Sequence, residues 1–197
     1  MEKNQEITRK AYEENLREYL RQTPAKTSGD FKDLFDFVIQ ILPHGAQVLE
    51  IGSGTGRDAN YFEEESVCVH RTDAAQSFID FQKGLGYKVD KLDILTDDIW
   101  KHWDLVFANA VFHHFTKEQF EIILRKIYKA LDNEGKLVFT MKAGTGEGYV
   151  HSLELPRYEL LWKAEELHGV LIQAGYTIIK IYPAVQGEYV FCVAQKN

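Results

Sequence analysis

No apolar run in the 197-residue chain approaches the ~18 residues that a membrane-crossing helix needs, and the N-terminal stretch has no secretory apolar block. The expectation is a cytoplasmic protein that does not span a membrane. Cysteine is nearly absent. Cys68 and Cys192 both lie in apolar, strand-like runs and read as small buried hydrophobes in a reducing compartment rather than as a disulfide. Basic charge is in deficit, with 23 Lys and Arg against 30 Asp and Glu and a formal net charge of −7. The long-range field therefore repels phosphate, which disfavours nucleic acid and acidic lipid unless a local basic patch overrides it. There is no internal repeat and no low-complexity tract. What remains, 45% apolar and 13% aromatic, suits a single globular domain over residues 1–197 with a full core.

Hydrophobic period sets the elements. Residues 4–22 read as one helix, with Ala11, Tyr12, Asn15, Leu16, Tyr19 and Leu20 at three-four spacing. After a breaker-rich loop (23–29), a second helix carries Phe31, Leu34, Phe35, Val38, Ile41 and Leu42 and stops at Pro43. Strands then follow at 47–51, 67–72 ending at Asp73, 88–92 ending at Asp93, 104–108 and 136–141. Helices separate them, and Thr116 with Gln119 forms a capping box ahead of the longest. Such units imply a parallel sheet with right-handed crossovers and helices on both faces. Residues 143–158 hold three glycines and no clear period, which suggests a long functional loop. A last helix (163–174) precedes two strands, 177–182 and 188–195, close enough in sequence to be antiparallel.

The chemistry concentrates at Val48-Leu-Glu-Ile-Gly-Ser-Gly-Thr-Gly56, where a buried strand runs into three alternating glycines and then a helix. Such a turn aims backbone N–H groups at a ligand with a polar or anionic part. A dinucleotide turn needs a third glycine where Arg57 stands, and a phosphate loop needs a Lys-Ser/Thr pair that is missing. An NAD-dependent oxidoreductase is thereby set aside.

An acid two residues before G-x-G-x-G resembles the first motif of the class I S-adenosylmethionine-dependent methyltransferases. The resemblance runs over roughly 45–195. It continues through Asp73, Asp93-Ile94, the stretch Trp103 to Phe115 (WDLVFANAVFHHF) and Leu131 to Phe139 (LDNEGKLVF). Asn133-Glu134 replaces the family's usual Pro-Gly. The resemblance implies a Rossmann-like, doubly wound α/β fold whose seven-stranded sheet has the order 3-2-1-4-5-7-6. Strand 7 would be antiparallel, with N-terminal lid helices over 1–43 and a core over 44–197 that carries the cap loop. It also implies roles. Gly52, Ser53 and Gly54 would meet the methionine part of the cofactor, with Glu50 ordering that end or serving only as a buried structural acid. Asp73 and Ala74 would meet the ribose, Asp93 and Ile94 the adenine, Asn109 and Ala110 the methionine amine. Asp58 stands at the helix start, and Arg57 would meet the cofactor carboxylate or else lie solvated at the surface. Tyr12 resembles a lid tyrosine.

Methyl transfer from a sulfonium is an in-line displacement with an activated donor, so alignment and desolvation supply most of the acceleration. A base is needed only where the acceptor must lose a proton. His114 and then His113 are the candidates for that role, with a structural histidine as the alternative. Neither an N-P-P-[YF] loop nor a Pro-Cys nucleophile pair is present, and the acidic cluster of metal-dependent members is missing. Together with the charge, this favours a small-molecule acceptor without a metal, in a monomer or homodimer. Tyr19, Tyr149, His151, Arg157 and Tyr158 would line the acceptor pocket. RNA or protein acceptors and a non-catalytic cofactor-binding role are the competing readings.

Overall fold

The computed structural model describes residues 2–99, 102–151, 154–184 and 187–197. The elements run α1 (Glu2–Glu14), α2 (Leu16–Gln22), α3 (Gly29–Ile41), β1 (Gln47–Ile51), α4 (Arg57–Glu64), β2 (Cys68–Asp73) and α5 (Gln76–Gly84). They continue with β3 (Val89–Lys91), β4 (Trp103–Ala108), α6 (Lys117–Ala130), β5 (Leu131–Lys142), β6 (Glu147–Val150), β7 (Arg157–Leu160), α7 (Ala164–Gln173), β8 (Tyr176–Pro183) and β9 (Tyr189–Lys196). The main sheet has the order β3-β2-β1-β4-β5-β9-β8, parallel except for β9, which is antiparallel to both its neighbours. This is the sequence expectation once the β6–β7 hairpin is set aside. That hairpin is a correction. Residues 147–150 and 157–160 pair antiparallel as a separate two-stranded sheet where a loop was expected. Residues 152 and 153 of that segment, and 185 and 186 of the β8–β9 connection, lie outside the described residues.

Strands buried on both faces send alternate side chains to two apolar layers. Leu105 and Phe107 of β4 and Val138 of β5 pack with Leu34, Phe35, Val38 and Phe62 of α3 and α4. Val106, Ala108, Leu137 and Phe139 pack with Phe120, Ile123, Ile127, Leu167 and Leu171 of α6 and α7 on the other face. The expected capping box at Thr116 is formed in both directions. Thr116→Ala should therefore lower stability by about 1 kcal/mol, read as a shift in the urea midpoint with an unchanged slope.

Three further expectations are corrected. The single N-terminal helix is interrupted between α1 and α2 at Asn15, a buried residue whose Nδ2 donates to the Ala11 carbonyl at 2.8 Å. A side chain that bonds the carbonyl one turn back competes with the regular ladder. The turn at Asn133–Gly135 lies inside β5 as an irregularity of its pairing with β4, with Glu134 at φ 60°. Cys68 is exposed at the start of β2, whereas Cys192 is buried, and both are free. Among the described residues, no helix is long and apolar enough to cross a membrane.

Candidate active site

In this sheet, β1 and β4 are neighbours although the chain visits β2 and β3 between them. A crevice opens at the carboxyl ends of such a pair. A cavity of about 340 Å³ lies there. Gly52, Gly54, Asp73, Ala74, Asp93, Ile94, Asn109, Ala110 and His114 line it, together with Tyr12 and Tyr19 from the N-terminal helices.

Gly52, Gly54 and Gly56 all hold positive φ, at 72°, 54° and 78°. A Cβ on Gly52 would come within 2.7 Å of the Val111 side chain across the crevice, and one on Gly56 within 2.6 Å of Gln82 Oε1. The glycines are thus required twice, by dihedral angle and by space. Gly52→Ala should cost at least ~2 kcal/mol and narrow the cavity, measured as a lowered denaturation midpoint.

Asp73 closes the turn. Its Oδ2 accepts the Gly54 N–H and its Oδ1 the Ala75 N–H, both at 2.8 Å. Each carboxylate oxygen keeps a second lone pair for a ligand hydroxyl. Burial raises its pKa to about 6 against those two backbone donors, so the group is ionised and accepting at neutral pH. Beneath the turn, the Gln82 side chain donates to the Gly54 carbonyl at 3.0 Å. Gln82 also accepts from buried Arg71, which Glu63 and Asn60 hold in place.

Asp58 accepts from Arg57 Nε at 2.6 Å and from Asn109 Nδ2 at 2.7 Å. Asn109 Oδ1 in turn takes the Thr140 hydroxyl at 2.7 Å, and Thr140 Oγ1 accepts the Ala110 N–H. This network fixes the β4 end, where Ala110 is held at φ 57°. Arg57 is tied to Asp58 and only partly accessible, which displaces the solvated alternative. Glu50 is buried and accepts from the Ser53 hydroxyl. Burial first, then the Asp58 charge, raise its pKa to about 8. Glu50, Ser53, Arg57 and Asp58 stand behind the cavity wall, not on it.

The lid side is built from distant parts of the chain. Tyr12 Oη meets His114 Nε2 at 2.8 Å, His114 Nδ1 meets the Tyr158 carbonyl at 2.7 Å, and Arg157 Nη1 donates to Tyr12 Oη at 2.8 Å. Gln5 donates to the His114 carbonyl, and the Thr8 hydroxyl accepts the Tyr158 N–H. Tyr12, Tyr19 and Phe78 pack edge to face and tilted, with centroids 5.1–5.9 Å apart. Tyr149, Arg157 and Tyr158 support the lid and do not reach the cavity: Tyr149 Oη donates to Asn4, and Tyr158 Oη to Glu147. His151 is exposed, and His113 is buried beside His114. Sequence reasoning missed Gln5, Thr8, Arg9, Phe78, Val111 and Phe115, all on the wall. Gln5, Thr8 and Tyr12 do share one helical face, but polar residues there look like a solvated stripe.

Among the described residues, one group has the donor types of a metal site: His113, His114 and Glu159, within 4.8 Å of one another. Its carboxylate is already held by Lys142 at 2.8 Å and faces Arg157 at 3.8 Å. Two cations packed on the only anion of the group favour an internal ion cluster over a divalent cation.

Sheet order and a glycine crevice at the β1/β4 switch point define the fold of the class I methyltransferases. Residues 49–137 match the family model described as a methyltransferase domain. One similar solved structure is the 1,6-didemethyltoxoflavin-N1-methyltransferase of Burkholderia thailandensis, with bound 1,6-didemethyltoxoflavin and S-adenosylhomocysteine. It aligns at a TM-score of 0.76 and 19% identity, over 100% of this chain and 90% of that one. The CcbJ methyltransferase from Streptomyces caelestis gives 0.75 and 16%, over 94% and 98%. A TehB-like SAM-dependent methyltransferase from Corynebacterium glutamicum gives 0.72 and 23%, over 95% and 99%. At these identities the likeness establishes the fold. No curated protein matches the chain.

Proposed function

We propose that the chain is one S-adenosylmethionine-dependent methyltransferase domain, acting on a small molecule without a metal, with α1 and α2 as its lid; α3, expected in the lid, packs on the sheet instead. The observation that carries this reading is Asp73, whose two oxygens each hold one backbone N–H and keep a lone pair at the mouth of the glycine crevice. A ribose presents two adjacent hydroxyls to such a carboxylate. Around it the residues fit the remainder of that cofactor. Gly52 and Gly54 allow close approach of a chain ligand, and Asp93 and Ile94 stand where a base would lie. Asn109 and Ala110 close the methionine end, ordered from behind by Asp58, Arg57, Ser53 and Glu50. When bound, the cofactor supplies an activated methyl group. The chain then supplies a cavity bordered by Tyr12 and Tyr19 in which donor and acceptor can be aligned.

A small acceptor is supported by the enclosing lid, by the charge of −7 and by the small-molecule ligand in the toxoflavin enzyme. The cations on Glu159 support metal independence. The test is thermal unfolding with S-adenosylhomocysteine and, separately, with NAD, followed by a labelled-methyl screen of small-molecule, RNA and protein fractions. Stabilisation by the homocysteine compound and label in small molecules are expected. Stabilisation by NAD alone would sink the reading, and label confined to RNA or protein would move the acceptor class.

A further inference from the structure

The loop that follows β3 is held from behind by one side chain. Lys126 of α6 is half-buried, and its ammonium donates to the carbonyls of Ile94, Leu95 and Asp97 at 2.9, 2.9 and 2.7 Å. An ammonium has three hydrogens, so all of its donors go to main-chain oxygens of one short stretch. Among the described residues it forms no ion pair, although Asp93, Asp97 and Asp98 lie in that stretch. Two of the peptide groups that Lys126 grips turn back on Asp93. The Ile94 carbonyl shares its peptide plane with the Leu95 N–H, which donates to Asp93 Oδ1 at 3.1 Å. The Leu95 carbonyl shares its plane with the Thr96 N–H, which donates to the Asp93 carbonyl at 3.1 Å. A cation on a peptide oxygen polarises the N–H of the same unit and strengthens the bond which that N–H makes. The Asp93 N–H completes the loop by donating to Asp97 Oδ2 at 2.8 Å. Asp93 is thus fixed through its backbone and one carboxylate oxygen, and Oδ2 has no partner among the described residues. Asp93, Ile94, Leu95 and Thr96 line the cavity, whereas Lys126 stands behind them.

We propose that Lys126 is a positioning residue for the base of the cofactor: its grip on the loop holds the Asp93 carboxylate so that Oδ2 accepts from an amino group on that base. The inference rests on the transferase reading and deepens it, because it gives the choice of base to a side chain that touches no ligand. A carboxylate oxygen accepts from an exocyclic amino group and repels a carbonyl oxygen in the same place. Without the ammonium, three carbonyls that converge on one point lose their charged donor together. The loop then relaxes toward water, and the carboxylate it orients is free to turn.

Titration calorimetry with S-adenosylhomocysteine and S-inosylhomocysteine tests this. The second ligand differs only in its base, which carries a carbonyl oxygen and a protonated neighbouring ring nitrogen where the first has an amino group and a bare one. The parental protein should bind the adenosyl compound about tenfold or more tightly than the inosyl compound, the worth of one hydrogen bond to an ionised acceptor. Lys126→Met keeps the apolar stem and removes all three donors. It should weaken the adenosyl compound about tenfold and leave the inosyl compound nearly unchanged, so that the preference collapses. Lys126→Gln keeps two uncharged donors and should fall between parent and methionine; it decides the matter should the methionine variant not fold. A preference that survives substitution overturns the proposal, whether or not both affinities fall together, since a loosened cavity alone weakens the two ligands alike. A parental protein that binds both compounds equally overturns it as well and leaves the transferase reading intact. A parental protein that binds neither overturns the transferase reading itself.

Discussion

Asp73→Ala should weaken S-adenosylhomocysteine binding by about 100-fold or more, the cost of two hydroxyl hydrogen bonds to an ionised acceptor at ~1.5–3 kcal/mol each. At a ligand concentration ~100 times the parental dissociation constant, the parental protein gains ~2.7 kcal/mol and the variant only ~0.4 kcal/mol. The thermal shift should therefore nearly vanish. The carboxylate also organises the turn, because Gly54 and Ala75 lose their acceptor with it. Asp73→Asn separates the two effects. Its one carbonyl oxygen can still receive a backbone N–H while its amide cannot accept from a hydroxyl, so it should fall between parent and alanine in affinity. Titration calorimetry on all three proteins decides. Equal affinities would remove Asp73 from the ribose role.

Glu50→Gln should stabilise the ligand-free protein at pH 8 by an amount on the order of a few kcal/mol, and leave it unchanged near pH 4.5. The sign follows from the buried carboxyl. Its pKa rises from 4.5 to about 8 in the folded chain, so between those values the folded state holds a proton that the unfolded state has released. Folding stability then falls as pH rises through that window. Asp73 contributes in the same direction between 3.8 and about 6. Gln keeps the size of Glu50 and an oxygen for the Ser53 hydroxyl, but has nothing to ionise. Melting curves of parent and variant from pH 4.5 to 8 should diverge progressively, and parallel curves would refute the raised carboxyl. The variant should also bind S-adenosylhomocysteine less tightly. A gain in stability coupled to a loss in affinity is expected of an acid retained for its ligand.

Some of this site was legible before any coordinates. The glycine turn, the acid at the end of β2 and the capping box at Thr116 each depend on residues a few positions apart. The corresponding geometry is local: a positive φ, an N–H two residues on, a bond from Thr116 to Gln119. The strand order was legible through the resemblance and through strand–helix units of ordinary length. Cys68 misled because its apolar neighbours resemble a buried strand, whereas the first residue of an actual strand can sit at the open end. The hairpin at 147–160 misled because its three nearby glycines and missing period hide a pairing made across residues outside the described set.

The sequence by itself determined where the ligand crevice forms and which acid closes it, since a turn and a strand end are specified by neighbours in the chain. Only the tertiary structure decided what the lid does. Tyr12 meets His114 across 102 residues and Arg157 across 145, and Asn109 meets Asp58 across 51. No local period records such distances, because those contacts exist only once the helices and the hairpin have packed. Packing engages both ring nitrogens of His114, the candidate base, with the Tyr12 hydroxyl and the Tyr158 carbonyl. A residue type states which protons it can carry; its buried partners decide whether it does.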